Sequence, residues 1–241
     1  MGDIRPGAQS ALHEQILEVL GGDIVAGRLA TGARVLSADL ASRFGVSRSA
    51  VREVVRVLES MGLVEVRRKA GVAVLPASRW DSYSPRLIRW RLEGPERIAF
   101  LHSLGQLRSA VEPLAAGLAA ENATSAQRAA LVQAVMGMVQ TARDADDEPY
   151  LRHDIAFHST LLAASGNPLL DGLAGVVEEV LRGRTRHALM PHEAEPLALR
   201  LHQEVAACIA SGDRPGAERA MRSIVAEADA AIGAIGDSAD D

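Results

Sequence analysis

Apolar residues recur at helical spacing along most of the chain, and the period changes to that of strands once. In residues 8–26 (AQSALHEQILEVLGGDIVA), Leu12, Ile16, Val19, Leu20 and Ile24 fall near one helical face, and Gly27 stops the run. A short amphipathic helix starts at Ser37 (SADLASRF) and closes at Gly45. The next, SRSAVREVVRVLESMG, has Ser47 where a hydroxyl can accept from a free N-terminal amide. Its apolar stripe is Val51, Val54, Val55 and Leu58, its Arg48, Arg52 and Arg56 share another face, and Gly62 ends it. LVEVRRKAGVAVL then reads as two short strands, Leu63–Val66 and Val72–Leu75, around a basic turn ending in Gly71.

Residues 76–94 (PASRWDSYSPRLIRWRLEG) form a connector holding Pro76, Pro85 and both tryptophans, whose spacing with leucine predicts docking on a domain. Beyond it the pattern is helical, with helices near 95–122, 125–144, 147–165, 168–189, 196–211 and 214–234. Thr124, Asn167 and Asp213 are expected N-caps, and the acidic tail GDSADD is expected to fray. The predicted fold is mainly α. A winged helix-turn-helix (8–76) is followed by the connector (77–94) and an all-α antiparallel helical bundle (95–235).

Composition narrows the function classes. At 241 residues the chain is long for one domain, and 48% hydrophobic with 24% charged residues excludes wholesale disorder. Aromatics are 3%, which disfavours a β-sandwich or barrel. The single cysteine, Cys208, excludes an internal disulfide and any multi-cysteine metal site. No export signal or apolar run of membrane-spanning length is visible, so no membrane partner and a cytoplasmic location are expected. Residues 1–78 carry 10 Lys+Arg against 8 Asp+Glu, and residues 79–241 carry 16 against 23. The segment 43–69 alone is 7 against 3, a compact basic stretch in an acidic protein, as a local nucleic-acid footprint requires.

Helix, helix, glycine turn, helix and basic hairpin is the order of a winged helix-turn-helix. Such a fold places a helix in the major groove, where early side chains face base edges. Ser47, Arg48, Ser49 and Arg52 are the candidates there, and Arg67, Arg68 and Lys69 on the hairpin tip are candidates for the phosphate backbone or minor groove. A helical domain with incidental arginines is the alternative. In the bundle, Asp154 and His158 are i, i+4 on one helix face, and His202 lies on a later helix. Three such ligands on facing helices suit a divalent ion, and a core histidine bonded to a carboxylate accounts for the same spacing. Arg108 lies between Leu104, Leu107 and Val111; its counter-charge is either Glu112 at i+4 or a ligand carboxylate. Arg182 and Arg186 are further possible pocket donors, with solvation at the surface as the favoured alternative. A metal-dependent enzyme on a bundle is the alternative function, but there is no H-E-x-x-H, nucleophile elbow, P-loop or G-x-G-x-x-G.

LASRFGVSRSAVREVVRVLESMGLVEVRRKAGVAV resembles the winged-helix signature of the GntR transcription factors. LRSAVEPLAAGLAAENAT, DIAFHSTLLAASGNPLL and LHQEVAACIASGDRPGAERAM resemble the helical FCD effector domain of the FadR-type subgroup, and WDSYSPRLIRW is most similar to its sugar-acid (galactonate or gluconate) branch. The resemblance implies a ligand-responsive regulator, a repressor by expectation, that binds a palindromic operator in double-stranded DNA as a homodimer and takes a small carboxylate effector. It implies that Arg48, Arg52 and Gly71 touch DNA. Many members carry an acidic-arginine pair opening the second helix; here that stretch is Ser37-Ala38-Asp39, and Arg34 is the expected substitute. It implies effector binding by Arg108, Asp154, His158 and His202. Metal-binding members use an Asp, a His four residues on and two later His. Asp154, His158 and His202 match three, and the fourth position is Ile224, which cannot ligate. The expected ion is Zn²⁺, with Ni²⁺ or Mn²⁺ as alternatives; a fatty acid, an amino acid or the metal itself are the alternative signals.

Overall fold

The computed structural model describes residues 6–67, 71–145, 148–187 and 192–239. Gly27 has φ 74°, in the left-handed region, and stops the chain from continuing helix α1 (Pro6–Val25). α1 buries Ile16, Leu17, Leu20 and Ile24. Val19, expected on this face, is 38% exposed. The buried positions step by four and three (16, 20, 24 and 17, 20, 24), and residue 19 lies outside that stripe.

Strand β1 (Arg34–Val35) precedes α2 (Ser37–Phe44) and α3 (Arg48–Ser60). Gly45, at φ 63°, closes α2. Ser47 caps α3, its hydroxyl accepting from the Ala50 N–H at 3.2 Å, and Val51, Val54, Val55 and Leu58 are buried as the pattern predicts. β2 (Val64–Arg67) and β3 (Gly71–Val74) pair antiparallel with Val64 opposite Val74 and Arg67 opposite Gly71. β1 adds to the other edge of β3, so the sheet order is β1-β3-β2. β1 is two residues long, too short to show a period, and the pattern missed it. The helices and sheet enclose one core and make the expected winged helix-turn-helix.

The connector contains a helix, α4 (Pro85–Leu92), that the pattern did not predict. Its Leu87 and Trp90 join the core under α1. The Trp90 ring lies so near Gly21 that a Cβ there would stand 2.1 Å from it. The Trp90 indole N–H donates to Glu18 at 2.6 Å, and the Arg86 guanidinium donates to the other oxygen of Glu18 at 2.6 Å. Trp80 donates to the Leu75 carbonyl at 3.1 Å.

The chain divides into two compact units, Met1–Pro95 and Glu96–Asp241. The second is an antiparallel helical bundle: α5 (Arg97–Asn122), α6 (Ser125–Gln140), α7 (Glu148–Ala164), α8 (Pro168–Asp171), α9 (Ala174–Arg186), α10 (Pro196–Ser211) and α11 (Arg214–Ala239). α5 packs along α11 and also meets α7 and α10, while α9 packs on α7. Ala115, Ala116, Ala119 and Ala120 give α5 a small-residue face, and Phe157, Leu161, Leu162 and Met221 fill the space it leaves. Thr124 and Gln127 form a capping box at α6, Asn167 accepts from the Leu169 N–H, and Asp213 accepts from the Gly216 N–H. Two predicted helices are interrupted. The one over 125–144 ends at Gln140 and passes into a 3₁₀ turn, and the one over 168–189 is split at Gly172-Leu173. Among the described residues no helix is long and apolar enough to cross a membrane.

Candidate functional site

Two surfaces hold the chemistry singled out in the sequence, one in each unit. On the first, α3 begins with no acidic residue in its opening turn, so its N-terminal amides and the exposed Arg48 present one positive region. Arg48 and Arg52 are exposed, one turn apart, and make no ion pair among the described residues; their guanidinium donors are free for phosphate or guanine. Arg56 is paired with Glu53 at 2.8 Å. Ser47 and Ser49 are exposed at the same end, with their hydroxyls 2.8 Å apart. Arg34 is exposed on β1, and Arg67 is exposed on β2 but paired with Glu65. Arg68 and Lys69 lie outside the described residues. Gly71 has a structural reason to be glycine: its φ is 82°, and a Cβ would stand 2.8 Å from the Val35 carbonyl oxygen.

The second surface is a cavity of about 460 Å³ of atom-free space, part of it open to solvent, among α5, α7, α9, α10 and α11. Asp154, His158 and His202 meet at its wall, each nine-tenths or more buried, with one ligand atom of each within 4.8 Å of the others. Asp154 Oδ1 lies 3.3 Å from His158 Nε2 and 3.5 Å from His202 Nε2. Donors about 2.1 Å from a shared ion stand about 3–3.5 Å apart at octahedral to tetrahedral angles, so the two distances from Asp154 suit a divalent metal. Asp154 Oδ1 and His202 Nε2 are buried with no aligned hydrogen bond, the state a bound ion would relieve. These two histidines also form edge-to-face contacts with Phe157, which fix their ring planes.

The outer nitrogens set the tautomers. His202 Nδ1 is 2.7 Å from the Ala198 carbonyl, which only accepts, so Nδ1 carries a hydrogen and Nε2 is the nitrogen turned to Asp154. His158 Nδ1 is 2.9 Å from Glu112 Oε2, though off the line of the ring N–H. Glu112 is fully buried and grips Arg108 with both oxygens, at 2.7 and 3.3 Å. Burial alone would raise the Glu112 pKa, but the Arg108 and His158 charges outweigh it and lower the value to about 2. Burial likewise works against a charged His158, yet Glu112 and Asp154 raise its pKa to about 9. Despite its burial, Asp154 is held well below the usual carboxylate range by His158 and His202.

The Arg108–Glu112 ion pair is therefore internal, one of the two readings the spacing left open, and Arg108 still borders the cavity. Arg182 does not face the cavity; it is paired on the outside with Glu178 and Glu148. Arg186 does not line it either. Arg184, which the sequence reading passed over, does, and it is only 7% exposed. The signal was present: Val177, Val180, Leu181 and Arg184 step by three and four, so Arg184 completes a buried stripe. Tyr150 and Glu227 were also missed, and Ile224 occupies the cavity wall at the position implied for a fourth ligand.

Residues 12–74 match the model of the gntR family of bacterial regulatory proteins, and residues 103–227 match the FCD domain. The chain is 30% identical over 215 residues to the galactonate operon transcriptional repressor of Escherichia coli (strain K12), covering 88% of this chain and 93% of the relative. It is 33% identical over 189 residues to the HTH-type transcriptional regulator LutR of Bacillus subtilis (strain 168), covering 76% and 83%. Among solved structures, E. coli McbR/YncC shares the fold with a TM-score of 0.52 at 19% identity, covering 92% of this chain and 96% of that one. The chain belongs to the gntR family, in the group that couples the DNA-binding domain to an FCD domain, and is a DNA-binding transcriptional regulator.

Proposed function

We propose that the protein is a repressor that leaves its operator when its helical domain binds a small carboxylate of the sugar-acid class beside a divalent metal. In this reading residues 8–76 read DNA and residues 95–235 take the effector and dimerise. Arg48 and Arg52, with Ser47 and Ser49, enter the major groove of a half-site, and Arg34, Arg67, Arg68, Lys69 and Gly71 follow the flanking backbone. A homodimer matches a palindromic operator, with half-sites about one helical turn apart.

The observation that carries the effector part is the convergence of Asp154, His158 and His202, with the outer nitrogen of His202 bonded to the Ala198 carbonyl and that of His158 set beside Glu112. Asp154 Oδ1, His158 Nε2 and His202 Nε2 would hold the metal, Zn²⁺ first by ligand type and Ni²⁺ or Mn²⁺ next. When bound, the ion supplies a Lewis-acid anchor for oxygens of the ligand. Ile224 adds no ligand, which leaves room for such an anchor at the cost of weaker metal retention. The repressor name and galactonate link of the E. coli relative point the same way.

The test is a gel-shift titration on a duplex selected by the protein from random sequence. D-galactonate releases the zinc-loaded protein, and a chelator weakens that release without preventing DNA binding. Retention of DNA at every concentration of galactonate, gluconate and lactate overturns the effector reading.

A further inference from the structure

We infer that Arg184, and not Arg108, is the cation that captures the ligand's carboxylate in this cavity. The inference deepens the proposed function and rests on its premise that a small carboxylate enters here.

The two arginines border the same cavity but differ in their charge balance. Arg108 is neutralised by Glu112 through two hydrogen bonds, and Glu112 is also held beside His158. Recruiting Arg108 to a ligand means breaking a buried ion pair and leaving Glu112 with less counter-charge. Arg184 has no such partner: its Nε is buried without a hydrogen bond, and no ion pair engages it among the described residues. The groups facing it are Arg108 from α5, Asp154 and Tyr150 from α7 and Glu227 from α11. Asp154 is committed to the two histidines, and Glu227 is partly exposed. Burial and the Arg108 charge hold the Arg184 pKa below the ordinary arginine range, against the pull of those carboxylates.

A guanidinium in this state gains most from a planar anion, which it binds with two parallel hydrogen bonds. A hydroxyl-bearing monocarboxylate fits, because one end pairs with Arg184 and its hydroxyl oxygens are left for Asp154, Tyr150 and the metal position. A neutral polyol of the same length offers the hydroxyls but not the anion.

The experiment measures thermal unfolding of the zinc-loaded full chain with acetate, lactate, D-galactonate or citrate, and with galactitol as the neutral control. Wild type is stabilised by at least one carboxylate and not by galactitol. Arg184→Gln raises the half-saturating concentration roughly tenfold or more, or abolishes protection, with zinc content unchanged. Ligand-free Arg184→Gln unfolds at the wild-type temperature or above, since it removes an uncompensated buried charge. The inference is overturned if Arg184→Gln is protected like wild type, if no carboxylate protects wild type, or if the ligand-free variant is strongly destabilised or fails to fold. If lactate or citrate protects through Arg184 while galactonate does not, the sugar-acid reading fails and this inference stands. If galactonate releases DNA equally from wild type and Arg184→Gln, the reading stands and this inference fails.

Discussion

Glu112 joins two parts of the bundle site, with one carboxylate held by Arg108 and set beside the outer nitrogen of His158. Neutralising it removes both functions. Glu112→Gln is expected to weaken zinc binding about 10–100-fold, the usual effect of losing a group behind a metal-bound histidine, as read by competition with a zinc indicator. The protonation state adds a second expectation. The folded pKa of His158 is about 9, above its ordinary value of 6.5, so in metal-free protein its contribution to stability is complete below pH 6.5 and is lost as pH rises through about 9. Unfolding temperature measured with a chelator should carry this decline between pH 6.5 and 9, and His158→Gln should lack it. Metal must displace the Nε2 proton, so zinc uptake near neutral pH releases protons, visible as a buffer-dependent binding enthalpy. The Asp154–His158 pair and the Arg108–Glu112 alternative were legible because i, i+4 spacing fixes which side chains meet on a helix. Which of two partners Arg108 takes was not, since both are carboxylates and only the packed bundle decides.

At the scale of elements, a glycine decides one close approach. Gly21 admits the Trp90 ring and so seats α4 on α1. Gly21→Ala places a methyl group against that ring, and overpacking of this kind costs about 1–3 kcal/mol. Chemical denaturation followed by tryptophan fluorescence should show the loss, with zinc binding in the bundle unaffected. The helical stripe of α3, its Ser47 cap and the β2–β3 hairpin were readable from period and turn chemistry. α4 was not, because Pro85 and the tryptophans look like linker punctuation until their partners on α1 are known. Arg184 was missed for a related reason. Arg182 and Arg186 stand out by residue type alone, which says nothing of the buried stripe of the helix predicted over 168–189. Within α9, Val177, Val180, Leu181 and Arg184 share the buried face, and it is the apolar company at three- and four-residue steps that marks Arg184.

Across the whole molecule, the basic stretch seen in the composition includes the cationic start of α3 in one unit, while the other unit holds a buried, mostly balanced polar cluster. Arg52 is exposed and makes no ion pair among the described residues, so Arg52→Ala should leave unfolding temperature and zinc binding unchanged while weakening DNA binding. If Arg52 neutralises a phosphate, the dependence of log affinity on log salt becomes shallower by about 0.9; if it reads a base, affinity falls by about 1–3 kcal/mol for the preferred sequence alone. Fluorescence anisotropy at several salt concentrations separates these outcomes.

The seating of Trp90 also bears on where the DNA-reading half can be cut free. Ending a fragment just past the wing, at residue 76, strips α4 away and bares the slot at Leu17, Leu20 and Gly21 to water. A fragment running through residue 94 keeps its own lid, and of the two it alone should stay monodisperse at high concentration.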